Sequence, residues 1–150
     1  MAILAENKKA FFDYEILEKF EAGLVLFGFE VKAIKNRRLN LAGSYVIAKN
    51  GRVYLINATI PPYQPKNTPP DYNPLRNRQL LLTKKELKYL EGKQRESHLT
   101  LVPLRVYNKH NLIKLEFALA KGKKTFDKRE IIKKREAQRK INRVLKGNFD

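Results

Sequence analysis

Apolar and polar residues alternate with a period of about two along several stretches of this chain, the spacing at which successive side chains of a strand face opposite ways. Over residues 14–20, Tyr14, Ile16 and Phe20 fall inward and Glu15 and Lys19 outward, while residues 24–29 form a compact apolar run. Both read as strand, with Gly23 as a bulge or bend between them. Val31 and Ile34, three apart, predict a short helix over residues 30–35. Residues 44–48 and 52–60 are β-branched and aromatic-rich runs flanking Asn50-Gly51, a pair that tolerates positive φ at both central turn positions. A hairpin is expected there, with Tyr45 and Ile47 on one face and Val46 on the other. Thr83-Lys84-Lys85-Glu86 has the form of a capping box and predicts a helix through Leu87 and Leu90 that stops at Gly92. Residues 99–107 and 112–119 alternate again across Asn108-Lys109-His110-Asn111, which predicts a second hairpin.

Two stretches fit neither period. Residues 7–14 read as a polar and aromatic lead-in, and Pro61, Pro62, Pro65, Pro69, Pro70 and Pro74 exclude both helix and sheet ladder. The proline stretch must be a loop, and a long loop inside a small domain is more often functional or mobile than filler. The count is five or six strands and two or three short helices with no β-α-β rhythm. This is a mainly β pattern, and it suits a small antiparallel barrel of the oligonucleotide-binding type over residues 1–120.

Charge changes the picture beyond residue 120. Residues 121–150 hold 12 Lys or Arg against four acids, a net +8 of the formal +17 of the 150-residue chain, which leaves +9 on the body. So dense a charge of one sign, with a sequence pI near 10.1, points to a polyanion. Asp127 and Glu130 form a capping-box-like start, so a helix should begin near Lys128. Its apolar stripe is thin (Ile131, Ile132, Ala137, Ile141, Val144, Leu145), and an isolated helix of roughly 15 residues is marginal in water. The expectation is a tail that is disordered alone and helical once phosphates neutralise it; the bland alternative is a solvated lysine-rich terminus.

The chain has no cysteine, which excludes disulfides, thiolate metal sites and a cysteine nucleophile. Its first residues lack a charged segment followed by an apolar core, and no apolar run approaches the ~18 to 20 residues that span a bilayer, so a soluble cytoplasmic protein is expected. Gly122-Lys123-Lys124-Thr125 is not a phosphate-binding loop, because the required earlier glycine is Phe117. His98 and His110 lack partners at catalytic or metal-ligand spacing. Glu21 and Glu30, nine apart, are weak as nuclease metal ligands; a carboxylate on a basic face more often orients an arginine or accepts from base amino groups. No enzyme, metal or cofactor is therefore expected. The informative residues are aromatics among cations: Phe11, Phe12 and Tyr14 beside Lys8 and Lys9, Tyr45 near Arg37 and Arg38, and Phe126 between Lys124 and Lys128. Aromatics can stack on unpaired bases while the cations hold phosphates. Tyr14 and Tyr45 serve equally well as core residues, whereas Phe126 lies in too polar a stretch for that.

Several blocks together carry a resemblance. Asn7-Lys8-Lys9-Ala10 with Tyr14, Glu21-Ala22-Gly23-Leu24, Gly28-Phe29-Glu30-Val31-Lys32, Ser44-Tyr45, Arg76-Asn77-Arg78-Gln79-Leu80-Leu81-Leu82 and Ala120-Lys121-Gly122-Lys123-Lys124 with Asp127-Lys128-Arg129 resemble the tmRNA-binding proteins of bacterial trans-translation, the small protein B or SsrA-binding family. The likeness implies a barrel that grips the tRNA-like part of tmRNA (SsrA RNA) and a tail that enters the vacant mRNA channel of a stalled ribosome. It implies ribosome rescue without catalysis, with 16S and 23S rRNA and elongation factor Tu as further partners and a monomer when free. Carried over, Asn7, Lys8, Tyr14, Glu21, Gly23, Glu30, Lys32 and Tyr45, with Arg76 and Arg78, would face tmRNA. Lys121, Gly122, Lys123, Lys124, Phe126, Asp127, Lys128 and Arg129 would meet the decoding centre, and Lys133, Lys134 and Arg135 the channel. Three positions depart from the family pattern: Arg37 stands where a glycine is usual, Gly43 where an acid is, and Phe126 where His or Tyr is commoner. The alternative is a ribosomal or ribosome-assembly protein that binds rRNA through a basic extension.

Overall fold

The computed structural model describes residues 2–96, 98–123 and 125–145, and in the last segment the side chains of residues 129 and 132–141. In chain order the elements are β1 (Ala2–Glu6), α1 (Lys8–Asp13), β2 (Tyr14–Leu24), α2 (Gly28–Lys35), β3 (Tyr45–Lys49) and β4 (Arg52–Ile56). After a long loop with one 3-10 turn at Pro65–Asn67 come β5 (Arg78–Leu81), α3 (Lys84–Gln94), β6 (Thr100–Lys109), β7 (Leu112–Gly122) and α4 (Thr125–Leu145).

All pairings are antiparallel, and they close a ring: β6–β3–β4–β5–β2–β7 and back to β6, with β1 added to β6 beyond β3. This is a small oligonucleotide-binding-type barrel, as the pattern predicts. The Asn50-Gly51 hairpin forms with φ of 53° and 74° at the turn and Lys49 opposite Arg52, and Val46 and Ala48 point into the core. The second hairpin turns on two residues rather than four: His110 and Asn111 both adopt positive φ (50° and 63°), and Lys109 pairs with Leu112. Pro103 lies inside β6, next to a register shift between Pro103 and Arg105, the kind of irregularity that accommodates a residue with no N–H to donate.

Three elements escaped the pattern. β1 buries only Leu4 fully, α1 is a six-residue helix in the stretch expected to be a lead-in, and β5 points an arginine inward where a hydrophobe would mark a strand. The apolar run 24–29 is not a strand: β2 ends at Leu24, and α2 already begins at Gly28, two residues before the expected start. Other boundaries also move. β2 runs unbroken through Gly23, which pairs with Leu81 on one side and Lys114 on the other; the irregularity of β2 lies between Ile16 and Glu18. α3 continues past Gly92 to Gln94, its start held by the expected reciprocal bonds of Thr83 and Glu86. The α4 backbone begins three residues before Lys128, and the proposed Asp127–Glu130 box lies outside the described side chains.

The main core joins Phe117, Leu115, Leu101, Val53, Leu55 and Leu80 of the barrel to Ile34 of α2 and Leu90 of α3. A smaller cluster sits on the other face of β6 and β7, where Ala10 of α1 packs on Val102, Leu104, Ala118 and Ala120. The two alanines leave room for α1, and β7 is consequently buried on both faces near its end. That explains the loss of alternation after Phe117.

Phe117 has no accessible surface and stacks on Phe20 at 5.5 Å. Phe117→Ala is expected to cost about 3–5 kcal/mol of unfolding free energy in a urea titration, the usual loss for emptying a fully packed aromatic site.

Candidate nucleic-acid interface

The most densely bonded polar cluster centres on Glu30, the third residue of α2. Its carboxylate accepts from the Phe27 N–H at 2.8 Å, which caps the helix, and bridges to two arginines. Arg78 Nε and Nη2 donate to Glu30 Oε2 at 3.0 and 2.7 Å, while Arg76 donates from Nε to Oε2 at 3.1 Å and from Nη2 to Oε1. Arg78 spends its remaining donors on the carbonyls of Ala58 and Pro74, at 2.6 and 3.0 Å. The Tyr72 hydroxyl accepts from Arg78 and lies 2.9 Å from Glu30 Oε2 and 2.8 Å from the Ile60 carbonyl. Burial pushes the Glu30 carboxyl up, but the bonds from Arg76, the Phe27 amide and Arg78 outweigh it and hold the carboxyl below its ordinary value. Burial, reinforced by Glu30, raises the Tyr72 hydroxyl to about 12, so it stays protonated.

Glu30 and Arg78 were expected on the RNA face, yet neither has accessible surface. Their position corrects that expectation: two opposite charges bonded to each other and to neighbouring groups inside the fold, with no accessible surface, are in no position to touch a phosphate. They fix what surrounds them. Arg76 remains partly exposed and lies flat on the Phe27 ring, 4.0 Å from its centroid.

A second group of expected residues gathers at α1. Asn7, Tyr14 and Tyr45 line an open cleft of about 260 Å³ with Lys9, Ser44 and Thr100, and Lys8 is exposed on the adjoining turn. Asn7 is held by its own N–H on the Leu104 carbonyl (2.7 Å) and its Nδ2 on Pro103 (3.0 Å), which sets the entry angle of α1. Tyr45 is 42% exposed, which removes it from the core. Tyr14 is half-buried, packing on the Ala10 cluster while also lining the cleft.

The remaining barrel residues stand apart. Glu21 accepts from the Tyr107 hydroxyl and from Lys109 Nζ at 3.3 Å, and the Tyr107 bond is the main cause of its lowered pKa. Gly23 lies beside Lys114 Nζ, and Lys32 is exposed on α2. The basic tail is rooted on α1: Lys123 donates from its backbone to the Asp13 carbonyl (2.9 Å) and from Nζ to Phe11 (3.1 Å), and Lys121 pairs with Glu15 at 3.4 Å. Gly122 ends β7 opposite Tyr14. Farther on, Arg135 lies 5.4 Å from the Phe12 ring, and Arg129, Lys133, Lys134 and Arg135 are exposed along α4. Lys124 and the side chains of Phe126, Asp127 and Lys128 lie outside the described residues.

Residues 4–147 match the family model described as SmpB protein. The chain belongs to the SmpB protein family. It is 50% identical over 149 residues to the SsrA-binding protein of Thermosipho africanus and 49% identical over 147 residues to that of Carboxydothermus hydrogenoformans, covering 99% and 98% of both chains respectively. It also resembles a chain in the solved structure "tmRNA-SmpB: a journey to the center of the bacterial ribosome", with a TM-score of 0.66 and 43% identity over 81% of this chain and 85% of that one. Arg37, the position where a glycine was expected, takes a φ of 60° just after α2, a left-handed conformation that glycine adopts without strain. Its guanidinium donates to the Ile3 carbonyl at 2.5 Å and so ties the α2 exit to β1. Gly43 also has positive φ (74°), which an acidic side chain there would meet with strain.

Sequence reasoning missed Tyr72 and Phe27. Only a tyrosine embedded in a proline-rich loop and an aromatic directly before Gly28 signalled them.

Glu30→Ala, which leaves Arg78 buried without its partner, is expected to destabilise the fold by about 3–5 kcal/mol at pH 7. Because the folded carboxyl is lowered from 4.5, its contribution is present above that pH and disappears as pH falls through the folded value. Denaturation midpoints of wild type and variant should therefore converge as the solution is acidified, and midpoints that stay parallel would refute the assignment.

Proposed function

We propose that this chain binds the tRNA-like domain of tmRNA through its barrel and delivers it to stalled ribosomes for trans-translation. Membership over residues 4–147 in a family whose named relatives are SsrA-binding proteins carries the reading. The geometry agrees with it: a closed barrel, a formal +17, and an open cleft at α1 lined by Asn7, Lys9, Tyr14 and Tyr45. In this role the chain works by binding, without a reaction of its own, in the bacterial cytoplasm. It is a monomer when free and joins elongation factor Tu in the delivery complex.

The direct tmRNA contacts fall to Lys8, Tyr14, Tyr45 and Lys32, and to the exposed edges of Asn7, Glu21, Gly23 and Arg76. Glu30 and Arg78 act behind them by holding α2 and the proline loop in place. Lys121 to Arg129 face the decoding centre of 16S rRNA, with Lys133, Lys134 and Arg135 following into the mRNA channel and 23S rRNA close by. The described side chains of α4 are all exposed, so the helix gains little from packing and depends on its charges being neutralised. It is disordered in the free protein and folds where rRNA surrounds it.

The barrel and tail separate at a definite place. β7 runs to Gly122 and Lys123 is bonded to α1, so removing residues 124–150 spares the fold, whereas a cut after Leu119 breaks the pairing with Tyr14 and Glu15. A chain ending at Lys123 should keep its preference for the tRNA-like fragment of tmRNA over ordinary tRNA across a salt series, and should fail to support tagging on stalled ribosomes. Loss of both together would refute the division of labour. Far-UV circular dichroism of the full chain should show a gain in helix on adding ribosomal subunits, beyond that of the shortened chain; equal spectra would refute folding on contact.

A further inference from the structure

The proline-rich loop packs against α2 and leaves two open compartments, one on each side of Phe29. The first, about 370 Å³, lies among Phe27, Phe29, Tyr72, Asn73 and Arg76; the second, about 340 Å³, among Phe29, Lys32, Tyr63 and Asn67. Both volumes are in the range of small-ligand clefts. Neither holds a residue that α1 and its cleft use.

Each compartment sets an aromatic ring beside a guanidinium, although Tyr63, unlike Phe27, is half-buried against the main core. Phe27 is 49% exposed, an unusual position for a large apolar ring, and Arg76 covers one of its faces at 4.0 Å. Phe29 stands beside it at 5.5 Å and meets Tyr72 edge-on at 4.7 Å. In the second compartment Arg38 lies over the Tyr63 ring at 5.8 Å, and Lys32 is exposed at the rim. An aromatic ring backed on one face by a guanidinium is a stacking platform for an electron-rich planar group on the other. The walls are preorganised. Glu30 holds Arg76 and Tyr72, and the loop bonds to itself through Asn67 Nδ2 to Gln64, Thr68 Oγ1 to the Gln64 carbonyl, and the Tyr72 N–H to Pro69. Glu30, buried beneath the site, is already matched by two arginines; of the exposed side chains around the compartments Asp71 is an acid, and Lys32 and Arg38 are cations.

We infer that the proline loop and the start of α2 form a two-compartment site for two successive unpaired nucleotides of an RNA strand, one base on Phe27 and the next on Tyr63, with Lys32 on the phosphate between them. The occupant is RNA rather than an apolar peptide because both rings are backed by arginine and the exposed cations Lys32 and Arg38, with Arg76, outnumber Asp71, the acid on the first wall, on a chain of net +17. The inference rests on the RNA-binding reading above and extends its Lys32 and Arg76 contacts onto the proline loop. It also assigns a use to the loop that the barrel does not require for closure. Duplex RNA does not fit, since paired bases are stacked on each other and offer no free face.

The test measures fluorescence anisotropy of labelled hexauridine, hexaadenosine and a duplex of equal length against the full chain and Phe27→Ala, Tyr63→Ala and Lys32→Ala, alone and combined. Phe27→Leu and Tyr63→Leu keep apolar bulk and control for folding, which thermal melting checks. Each ring removal should weaken single-strand binding by about tenfold while leaving duplex binding unchanged. Lys32→Ala should lower the slope of affinity against salt by about one. Equal affinity of the wild type and the Phe27/Tyr63 double variant for the single strands would overturn the site, as would wild-type binding no better to single strands than to duplex. Binding of the tRNA-like fragment of tmRNA is measured in parallel. Failure of the wild type to prefer that fragment over tRNA refutes the proposed function, whereas failure of the oligonucleotide arms with that preference intact refutes only the two compartments.

Discussion

One buried carboxylate organises one side of this molecule. Glu30 sits at the first turn of α2, where its charge favours the helix dipole and its oxygen closes the helix on the Phe27 amide. The same group holds Arg78 of β5, the strand that joins β4 to β2 and so completes the ring. Through Arg76 and Tyr72 it also pins the far end of the proline loop. Burying a charge pair is costly, and its attraction repays that cost only when every remaining donor and acceptor is satisfied. Here Arg78 meets that condition with two backbone carbonyls. The gain is geometric: helix, strand and loop are set in one arrangement, which an apolar cluster of similar volume would specify less strictly.

The other side of the barrel is organised by small residues. Ala118 and Ala120 let α1 lie close on β7, and α1 then serves as a platform for two things. Its N-terminal turn carries the cations of the cleft, and its last carbonyls receive Lys123, where the chain leaves the barrel for the tail. The cleft and the root of the tail therefore share a single short helix, and the Phe12–Arg135 contact extends that sharing one step along α4.

Much of this was legible because local chemistry and tertiary context agreed. The Asn50-Gly51 turn, the Thr83 capping box and the alternation along β6 and β7 each formed where expected, since each depends on neighbours in sequence. β1 and β5 were not legible. A strand with one buried leucine, or one whose inward residue is an arginine, carries no period that distinguishes it from loop. The family resemblance supplied Glu30 and Arg78 as site residues; it carried no information on depth, and depth decides whether a charge meets solvent or another charge.

By itself the sequence determined the barrel class, the two hairpins, the position of the proline loop and the concentration of positive charge beyond residue 120. These follow from turn chemistry, hydrophobic period and composition, all of which act over a few residues. Tertiary structure alone decided which cations face outward. It withdrew Arg78 and Glu30 into a mutual pair 48 residues apart in the chain, left Arg76 against Phe27, and brought Asn7, Tyr14 and Tyr45 to one cleft. The physical reason is that burial depends on contacts between distant segments, and no local pattern encodes how deep a charged side chain will lie.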